Sequence, residues 1–251
     1  MSKYRDEFLG VIFAIMLLNI WYLSGVAIEN KLIPNEYKNI IGFFTSAFGA
    51  MTGAYAAFQF NRTIERSKKE KELIDDLRHA IFLLAMKLNQ LRGIKKDMLD
   101  PFEQNAVRWG AMRSFNEVDE KDSFNIAKLC FLQDKFSEFL MELDVADDCY
   151  KLSIRQLNYR SMLHRERLQE FQSELLKEYP DIEHSYQNMQ QYISTELLET
   201  MVVATNSCYQ IIPQTIEMLE NAQSELLVIA KERFAGAAFL DHDALYQGDK
   251  T

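Results

Sequence analysis

Side chains suited to acid-base or metal chemistry are few in this sequence and stand far apart. No two of the four histidines have the HxxxH or HExxH spacing that brings two imidazoles to one helix face around zinc. Two of them, His79 and His164, have no acidic neighbour in the chain. Glu183 beside His184 and the Asp-His-Asp triplet at residues 241–243 come nearest, and we interpret both as solvated surface groups. The sequence therefore predicts no metal site.

Neither the cysteines nor the glycines form a recognisable catalytic motif. Cys130, Cys149 and Cys208 show no CxxC spacing and lie in apolar, helical stretches, where free cysteines are usually core residues. Such a sparse, odd set is typical of a reducing compartment. No GxxxxGK[ST], GxGxxG or GxSxG pattern occurs. An enzyme is therefore the least favoured class, and we expect no cofactor.

Charge is divided unevenly along the 251 residues. Residues 1–60 carry four basic and four acidic groups, so the net charge of −9 belongs to residues 61–251. Such an acidic body argues against general nucleic-acid binding, which relies on Lys and Arg to neutralise phosphates. One basic patch interleaved with aromatic rings leaves open a specific contact with a protein or RNA partner, although Glu166 and Glu170 dilute it. Its members are Arg155, Tyr159, Arg160, His164, Arg165 and Arg167.

Two long apolar runs near the N-terminus predict transmembrane helices. Residues 8–28 (FLGVIFAIMLLNIWYLSGVAI) and 40–60 (IIGFFTSAFGAMTGAYAAFQF) contain no charge. At 1.5 Å per residue, each run matches a hydrocarbon core of about 30 Å. Two other interpretations are a pair of buried core helices and a cleaved signal peptide ending at residues 25–27. Asp6, Glu7 and the length of the first run disfavour the signal peptide.

A basic cluster directly after the second run predicts the topology. Bases near a membrane end are retained in the cytoplasm, so both termini are expected inside and the connector at residues 29–39, with Pro34, outside. The predicted location is thus the bacterial inner membrane, in a multi-pass arrangement. The same bases could bind anionic lipid headgroups at about 1 kcal/mol each. They are Arg62, Arg66, Lys68, Lys69 and Lys71.

Small residues form two adjacent rows in the second run. Gly49, Gly53 and Ala57 repeat at four-residue spacing. A parallel row contains Ser46, Ala50 and Ala54. Small side chains let helix backbones approach closely in lipid. The rows could pack the protein's own two helices together, or pack several copies into a homo-oligomer. Asn19, in the middle of the first run, predicts a hydrogen bond between helices.

The pattern of residues 61–251 predicts a cytoplasmic helical bundle. Together with the transmembrane hairpin predicted at residues 1–60, it predicts an all-α protein. The second run should continue as a helix to about Gly93, ending near Asp100-Pro101. A surface loop or short helices follow, over Trp109, Gly110 and the acidic run at residues 117–122. Further helices are predicted over 123–143, 149–178 and 182–209, and from Pro213 to about 235, giving four to six in all. Residues 241–251 should fray.

The layout of residues 8–96 resembles that of bacterial two-transmembrane proteins from phage-defence loci. The passages AFGAMTGAYAAFQFNR and HAIFLLAMKLNQLRGIKK carry the resemblance. Within that group the chain is similar to the membrane effector of a retron, which pairs a reverse transcriptase and its noncoding RNA with a toxic accessory protein. The resemblance implies an inner-membrane effector that stays silent until infection is sensed. It then breaches the membrane and stops growth, with the reverse transcriptase and RNA as partners.

Two functions follow from these patterns. The first is an effector whose release lets the small-residue rows assemble copies into a leak, causing growth arrest or abortive infection. The alternative is a non-toxic receptor or scaffold whose helical domain recruits a cytoplasmic partner, with the spans serving only as a tether. Genomic neighbours and replacement of the spans would separate them.

Overall fold

A computed structural model describes residues 5–32, 37–179 and 186–239. All regular elements in these ranges are helical, which confirms the all-α class. Side chains are not described at positions 5–9, 11, 13, 17, 38, 39 and 41. Pro34, Pro180, Glu183, His184 and the 241–251 segment lie outside the described residues, so the predictions made for them stay predictions.

Eight α-helices occur in the described ranges. They are α1 (Arg5–Glu29), α2 (Lys38–Ile94), α3 (Arg108–Ala111), α4 (Ile126–Leu129), α5 (Gln133–Leu163), α6 (Gln169–Glu178), α7 (Tyr186–Met189) and α8 (Thr195–Arg233). The chain divides into two compact units, Met1–Lys69 and Glu70–Thr251. The division near residue 60, drawn from the end of the apolar run, stays a prediction.

Helix α1 ends in a left-handed turn. The Lys31 N–H donates to the Ile28 carbonyl (3.0 Å) and the Leu32 N–H donates to the Ala27 carbonyl (2.9 Å). This pair of hydrogen bonds requires one residue in the left-handed backbone conformation. Lys31 adopts that conformation with φ 56°, although glycine is usual at this position. Over the ranges that the structure describes, no helix combines the length and apolar character needed to cross a membrane.

Helix α2 confirms the prediction that the second apolar run continues as a helix to the neighbourhood of Gly93. After Ile94 the backbone widens into a π-turn at Lys95–Leu99 and then tightens into a 3-10 turn at Asp100–Phe102. Pro101 lies in the first turn of that 3-10 element, where a backbone N–H would have no acceptor within the helix, so the proline costs no hydrogen bond. The expected end at Asp100-Pro101 is therefore confirmed.

The core of the second unit is built from α2, α5 and α8. Every third or fourth residue of α2 from Leu77 to Leu91 is buried and belongs to one apolar cluster with residues of α5 and α8. Burying a side chain of this size stabilises by about 1.5–3 kcal/mol. A smaller cluster joins α3, the end of α5 and the start of α8; its buried members are Val107, Trp109, Leu163, Leu168, Ile193, Met201 and Ala204.

Three predicted helix boundaries are wrong. The helix predicted over residues 182–209 is interrupted, because α7 ends at Met189 and α8 begins only at Thr195. The sequence indicated separate helices on either side of residues 144–148, but α5 runs through them because Ala146 and Asp147 are buried against the core. Pro213 does not open a helix: it lies inside α8, which begins at Thr195 after Ser194 caps the Leu197 N–H. Ile212 and Ile216 on either side of Pro213 are buried, so tertiary packing offsets the lost helical hydrogen bond.

Candidate functional site

The first unit exposes large apolar side chains on all sides of its helices. In α1 these include Ile15, Met16, Leu18, Ile20, Trp21 and Leu23, and in α2 they include Phe43, Phe44, Phe48, Met51, Tyr55, Phe58 and Phe60. Soluble proteins rarely expose contiguous apolar patches above a few hundred Å², and larger ones mark contact with a membrane or another protein. This apolar surface is therefore a candidate functional site.

Polar side chains within this surface are satisfied by their own helices. The Asn19 amide donates to the Ile15 carbonyl (2.9 Å), and the Ser24 hydroxyl donates to the Ile20 carbonyl (2.7 Å). Among the described residues the Asn19 amide bonds within α1, and the hydrogen bond to another helix stays a prediction. A bond of this kind satisfies one donor of the side chain within its own helix.

The two rows of small residues are exposed along one side of α2. Their members are Ser46, Gly49, Ala50, Gly53, Ala54 and Ala57. A Cβ atom built at Gly49 or Gly53 would meet no other heavy atom within 4 Å in the described part of the chain. Large exposed side chains, among them Phe48 and Tyr55, lie on the opposite side of the helix. The described residues of the chain therefore leave this narrow face uncovered.

The basic cluster is fully accessible. Arg62, Arg66, Lys68, Lys69 and Lys71 are all exposed, and none of them forms an ion pair with a described side chain. Arg62, Arg66 and Lys69 follow one another at spacings of four and three, so they share one face of α2. That face is open to phosphate groups.

A buried ion pair links α2 to α5 in the second unit. The Lys87 ammonium bonds to the Asp147 carboxylate, whose other oxygen lies 2.8 Å from the Lys151 ammonium. The rings of Phe124 and Tyr150 stand 4.7 and 4.5 Å from the Lys87 nitrogen, within cation-π range. Burial lowers the pKa of Lys87 and raises that of Tyr150 to about 12. The sequence pattern gave no sign of this pair, since Lys87 lies in an otherwise apolar stretch.

Arg160 and His164, predicted as part of a surface patch for a partner, are buried. The Arg160 guanidinium donates to the carbonyls of Trp109 (3.0 Å), Met112 and Arg113 (2.9 Å) around the end of α3. His164 Nε2 lies 3.2 Å from the Gly110 carbonyl. Burial lowers the pKa of Arg160 to about 10 and that of His164 to about 4. These two side chains are therefore not available for the partner contact that the sequence left open, and they bond the backbone around a short helix instead.

An irregular strap at residues 112–125 is fastened to α5 through side-chain hydrogen bonds. The Ser161 hydroxyl accepts from the Phe115 N–H (2.9 Å) and donates to the Phe115 carbonyl (2.8 Å). The Asn158 amide bonds the N–H and the carbonyl of Val118 in the same way, both at 2.9 Å. The Lys121 N–H donates to the Tyr150 hydroxyl at 2.8 Å. No pattern in the sequence distinguishes Asn158 and Ser161 from the other polar residues of α5, so sequence reasoning missed them.

Neither the cysteines nor the surface pockets suggest catalysis in the described part of the chain. Cys208 is buried, as expected, and burial raises the pKa of its thiol to about 12, while Cys130 is exposed, against expectation. No group of three or more His, Cys, Asp or Glu residues could hold a metal ion among the described positions. A surface pocket of about 290 Å³ is lined by Lys135, Phe136, Glu232 and Arg233, a set that contains no serine, cysteine or histidine.

Comparisons with known proteins identify no relative. No family model matches the chain, and no curated protein or solved structure is significantly similar to it. The fold therefore defines an all-α protein of two compact units, and function must be argued from the surfaces described above.

Proposed function

We propose that this chain is a bacterial inner-membrane protein whose residues 8–28 and 40–60 form a transmembrane hairpin. The observation that carries the proposal is the apolar surface of the first unit. Trp21, Leu23, Phe43 and Met51 are 57, 62, 71 and 72% exposed, on helices whose runs contain no charge. A bilayer would bury these side chains, and the helical backbone satisfies its own hydrogen bonds there.

The basic cluster supports a topology with both termini in the cytoplasm. Its five side chains are exposed at the end of the apolar run of α2, and they lack acidic partners among the described side chains. Cytoplasmic retention of such bases orients a hairpin. The cluster would also lie level with anionic headgroups and hold the helix at that depth.

We further propose that the protein is an effector of a phage-defence system of the retron type, which permeabilises the membrane when triggered. The uncovered small-residue face supports self-assembly, since Gly49 and Gly53 would let the α2 helices of several copies approach closely. The retron-like layout supports the rest of the proposal, in which the protein is released from a reverse transcriptase and its noncoding RNA. The released protein then makes the membrane leak and stops growth. In this scheme, the helical domain of residues 61–251 is the part through which the partners keep the protein inactive.

The test is a double substitution, Gly49→Leu with Gly53→Leu, in the full chain expressed in bacterial cells. We expect loss of membrane depolarisation and of growth arrest, because two leucines would separate the helices, while the protein stays in the membrane fraction. Gly25→Leu adds the same side chain to α1, where a Cβ also meets no atom within 4 Å among the described residues, and should leave depolarisation unchanged. Undiminished depolarisation in the double variant would refute assembly through this face.

A scaffold that only uses the spans as a tether is distinguished by replacing residues 1–60 with an unrelated transmembrane hairpin. A scaffold would keep its activity after the exchange, whereas an effector that assembles through α2 would lose it. Retained depolarisation and growth arrest in the exchanged protein would therefore refute assembly through α2 as the cause of the leak.

A further inference from the structure

The strap lies along α5 in an extended conformation and runs in the direction opposite to the helix. From Ser161 to Tyr150 the helix rises about 16 Å, at about 1.5 Å per residue. The strap covers this distance between positions 115 and 121, where six residues can span at most about 20–22 Å. The strap is therefore close to fully extended. Its anchored residues are Phe115 on Ser161, Val118 on Asn158 and Lys121 on Tyr150.

Two of these anchors bind the strap through its backbone. The Ser161 hydroxyl bonds both the N–H and the carbonyl of Phe115, and the Asn158 amide bonds both groups of Val118. A side chain that donates and accepts in this way offers the backbone the same pairing as a neighbouring β-strand. Helix α5 thus presents hydrogen-bonding groups that fit an extended segment of any sequence.

Three strap side chains add selectivity to this backbone recognition. Phe115 and Val118 are half-buried and pack against the main apolar core. Both carboxylate oxygens of Glu120 accept from the Arg155 guanidinium, the nearer one at 2.7 Å. The strap side chains between these three positions are exposed. A segment that fits this face of α5 therefore has the pattern apolar-x-x-apolar-x-acidic.

The strap takes its conformation from its neighbours. Within residues 113–124, all of which the structure describes, no backbone N–H bonds to another backbone carbonyl. A segment that is held only by side-chain anchors can be released without breaking a helix of the bundle. Segments that move in regulation are drawn from such regions of low local stability.

We propose that this face of α5 is a binding groove for an extended segment of a partner protein with the pattern apolar-x-x-apolar-x-acidic, and that the strap occupies the groove in cis. We call it the strap groove; its anchors are Tyr150, Arg155, Asn158 and Ser161. The partner segment and the strap compete for the same anchors, so binding of the partner releases the strap. A tethered occupant acts at an effective concentration of about 1 mM, so the partner segment must bind more tightly than the strap.

The strap groove is independent of the proposed membrane function. All of its anchors belong to the second unit, as does the strap itself. Failure of the hairpin to insert, or of α2 to assemble, would leave the groove as it is. The experiments below measure peptide binding and hydrogen exchange, which do not require a leak.

Peptide binding to a full chain with a loosened strap tests the groove. Phe115→Ser with Val118→Ser removes the apolar contacts of the strap and keeps its length, and Trp109 fluorescence during unfolding reports whether the second unit is folded. A labelled peptide of residues 113–122 should bind this variant at least tenfold more tightly than it binds the intact chain, whose groove is occupied. The same peptide with serine at both apolar positions is the control and should bind neither chain.

Substitutions in the groove test how the peptide is recognised. In the loosened chain, Asn158→Ala should weaken binding about tenfold, because two hydrogen bonds to the peptide backbone are lost. Gln169→Ala removes an exposed amide of α6 and should have no effect. Arg155→Glu should weaken binding about fivefold, and a peptide with lysine in place of Glu120 should restore it.

Hydrogen exchange in the intact chain tests displacement without the loosened variant. The added peptide has leucine at both apolar positions and aspartate at the acidic one, so it shares the pattern of the strap but not its sequence. At about 5 mM, above the effective concentration of the strap, it should accelerate exchange at the Phe115, Val118 and Lys121 amides at least fivefold. Amides in the buried part of α8 should exchange as before.

Three results would overturn the proposal. The first is a loosened chain that folds and binds the peptide no more tightly than the intact chain. The second is an Asn158→Ala variant that binds as tightly as Gln169→Ala. The third is unchanged exchange of the strap amides in the intact chain with peptide present, and this measurement decides the matter if the loosened chain does not fold.

Discussion

Replacing Asp147 by Asn should destabilise the second unit far more than any surface substitution. The change leaves the Lys87 ammonium without its carboxylate inside the core, where its side chain is 0% exposed. Removing one partner of a buried pair typically costs about 3–5 kcal/mol. The destabilisation has an upper limit, because Lys87 can instead lose its proton and remain buried as a neutral amine. Deprotonating a lysine of ordinary pKa at pH 7 costs about 1.36 kcal/mol for each of about 3.5 pH units, or about 5 kcal/mol. The rings of Phe124 and Tyr150 retain part of the stabilisation, so we expect about 3 kcal/mol.

The opposite substitution, Lys87→Met, should be milder. It leaves Asp147 paired with Lys151, which lies 2.8 Å away and is 22% exposed. Since the carboxylate keeps a partner and the buried ammonium is removed, we expect a loss of about 1–2 kcal/mol. Glu120→Gln breaks the exposed pair with Arg155 and serves as the matched control, with an effect below about 1 kcal/mol.

The assay is denaturant unfolding of the full chain in detergent, followed by Trp109 fluorescence in a Trp21→Phe background. Trp109 is buried and reports the second unit. Burial lowers the pKa of Lys87 in the folded state, so the unfolded chain binds more protons between that value and 10.5 and stability rises with pH there. The Asp147→Asn deficit should therefore shrink as pH approaches 10.5. A deficit below 1 kcal/mol at pH 7, or a larger loss for Lys87→Met than for Asp147→Asn, would refute the reasoning.

Three further predictions concern the strap and its surroundings. Gly110→Ala should lower the free energy of unfolding by about 1–3 kcal/mol in the same assay, because the new Cβ would lie 2.4 Å from the Tyr186 ring, and a smaller residue at 186 should recover most of the loss. His164 has a pKa of about 4 in the folded protein, so the unfolded chain binds more protons between pH 4 and 6.5. The free energy of unfolding should therefore fall by about 3 kcal/mol as the pH drops through that range, and a His164→Gln variant should lack this pH dependence. Asn158→Ala should accelerate hydrogen exchange at the Val118 amide by about fivefold or more, through loss of a 2.9 Å bond, and an unchanged exchange rate there would contradict the strap assignment.

Helix boundaries show where local signals suffice and where they fail. The end of α2 was predictable, because Asp100-Pro101 is a local breaker, whereas Gly93 lies inside the helix. Pro213 was misjudged because buried neighbours hold it inside α8, and no local pattern records what a neighbouring helix contributes. The break expected at residues 144–148 was wrong for the same reason, since Asp147 is retained in α5 by Lys87, sixty residues away in the chain.

Site residues divide in the same manner. The small rows and the basic cluster of α2 were located from spacing alone, because a helix of known pitch fixes which residues share a face. Arg160 and His164 were taken for surface groups because charge is normally solvated. Only the arrangement of α3 against α5 shows that Arg160 is surrounded by backbone carbonyls.

By itself, the sequence determined the helical class, the two uncharged apolar runs and the division of charge between them and the body. Each of these depends on composition and on a period of 3.6 residues, which the chain carries locally. Tertiary structure alone decided which charges are buried, which apolar residues of α5 remain exposed, and that the small face of α2 is uncovered by the described part of the chain. Burial is a property of the neighbours that a residue acquires on folding, and those neighbours lie far away in the sequence.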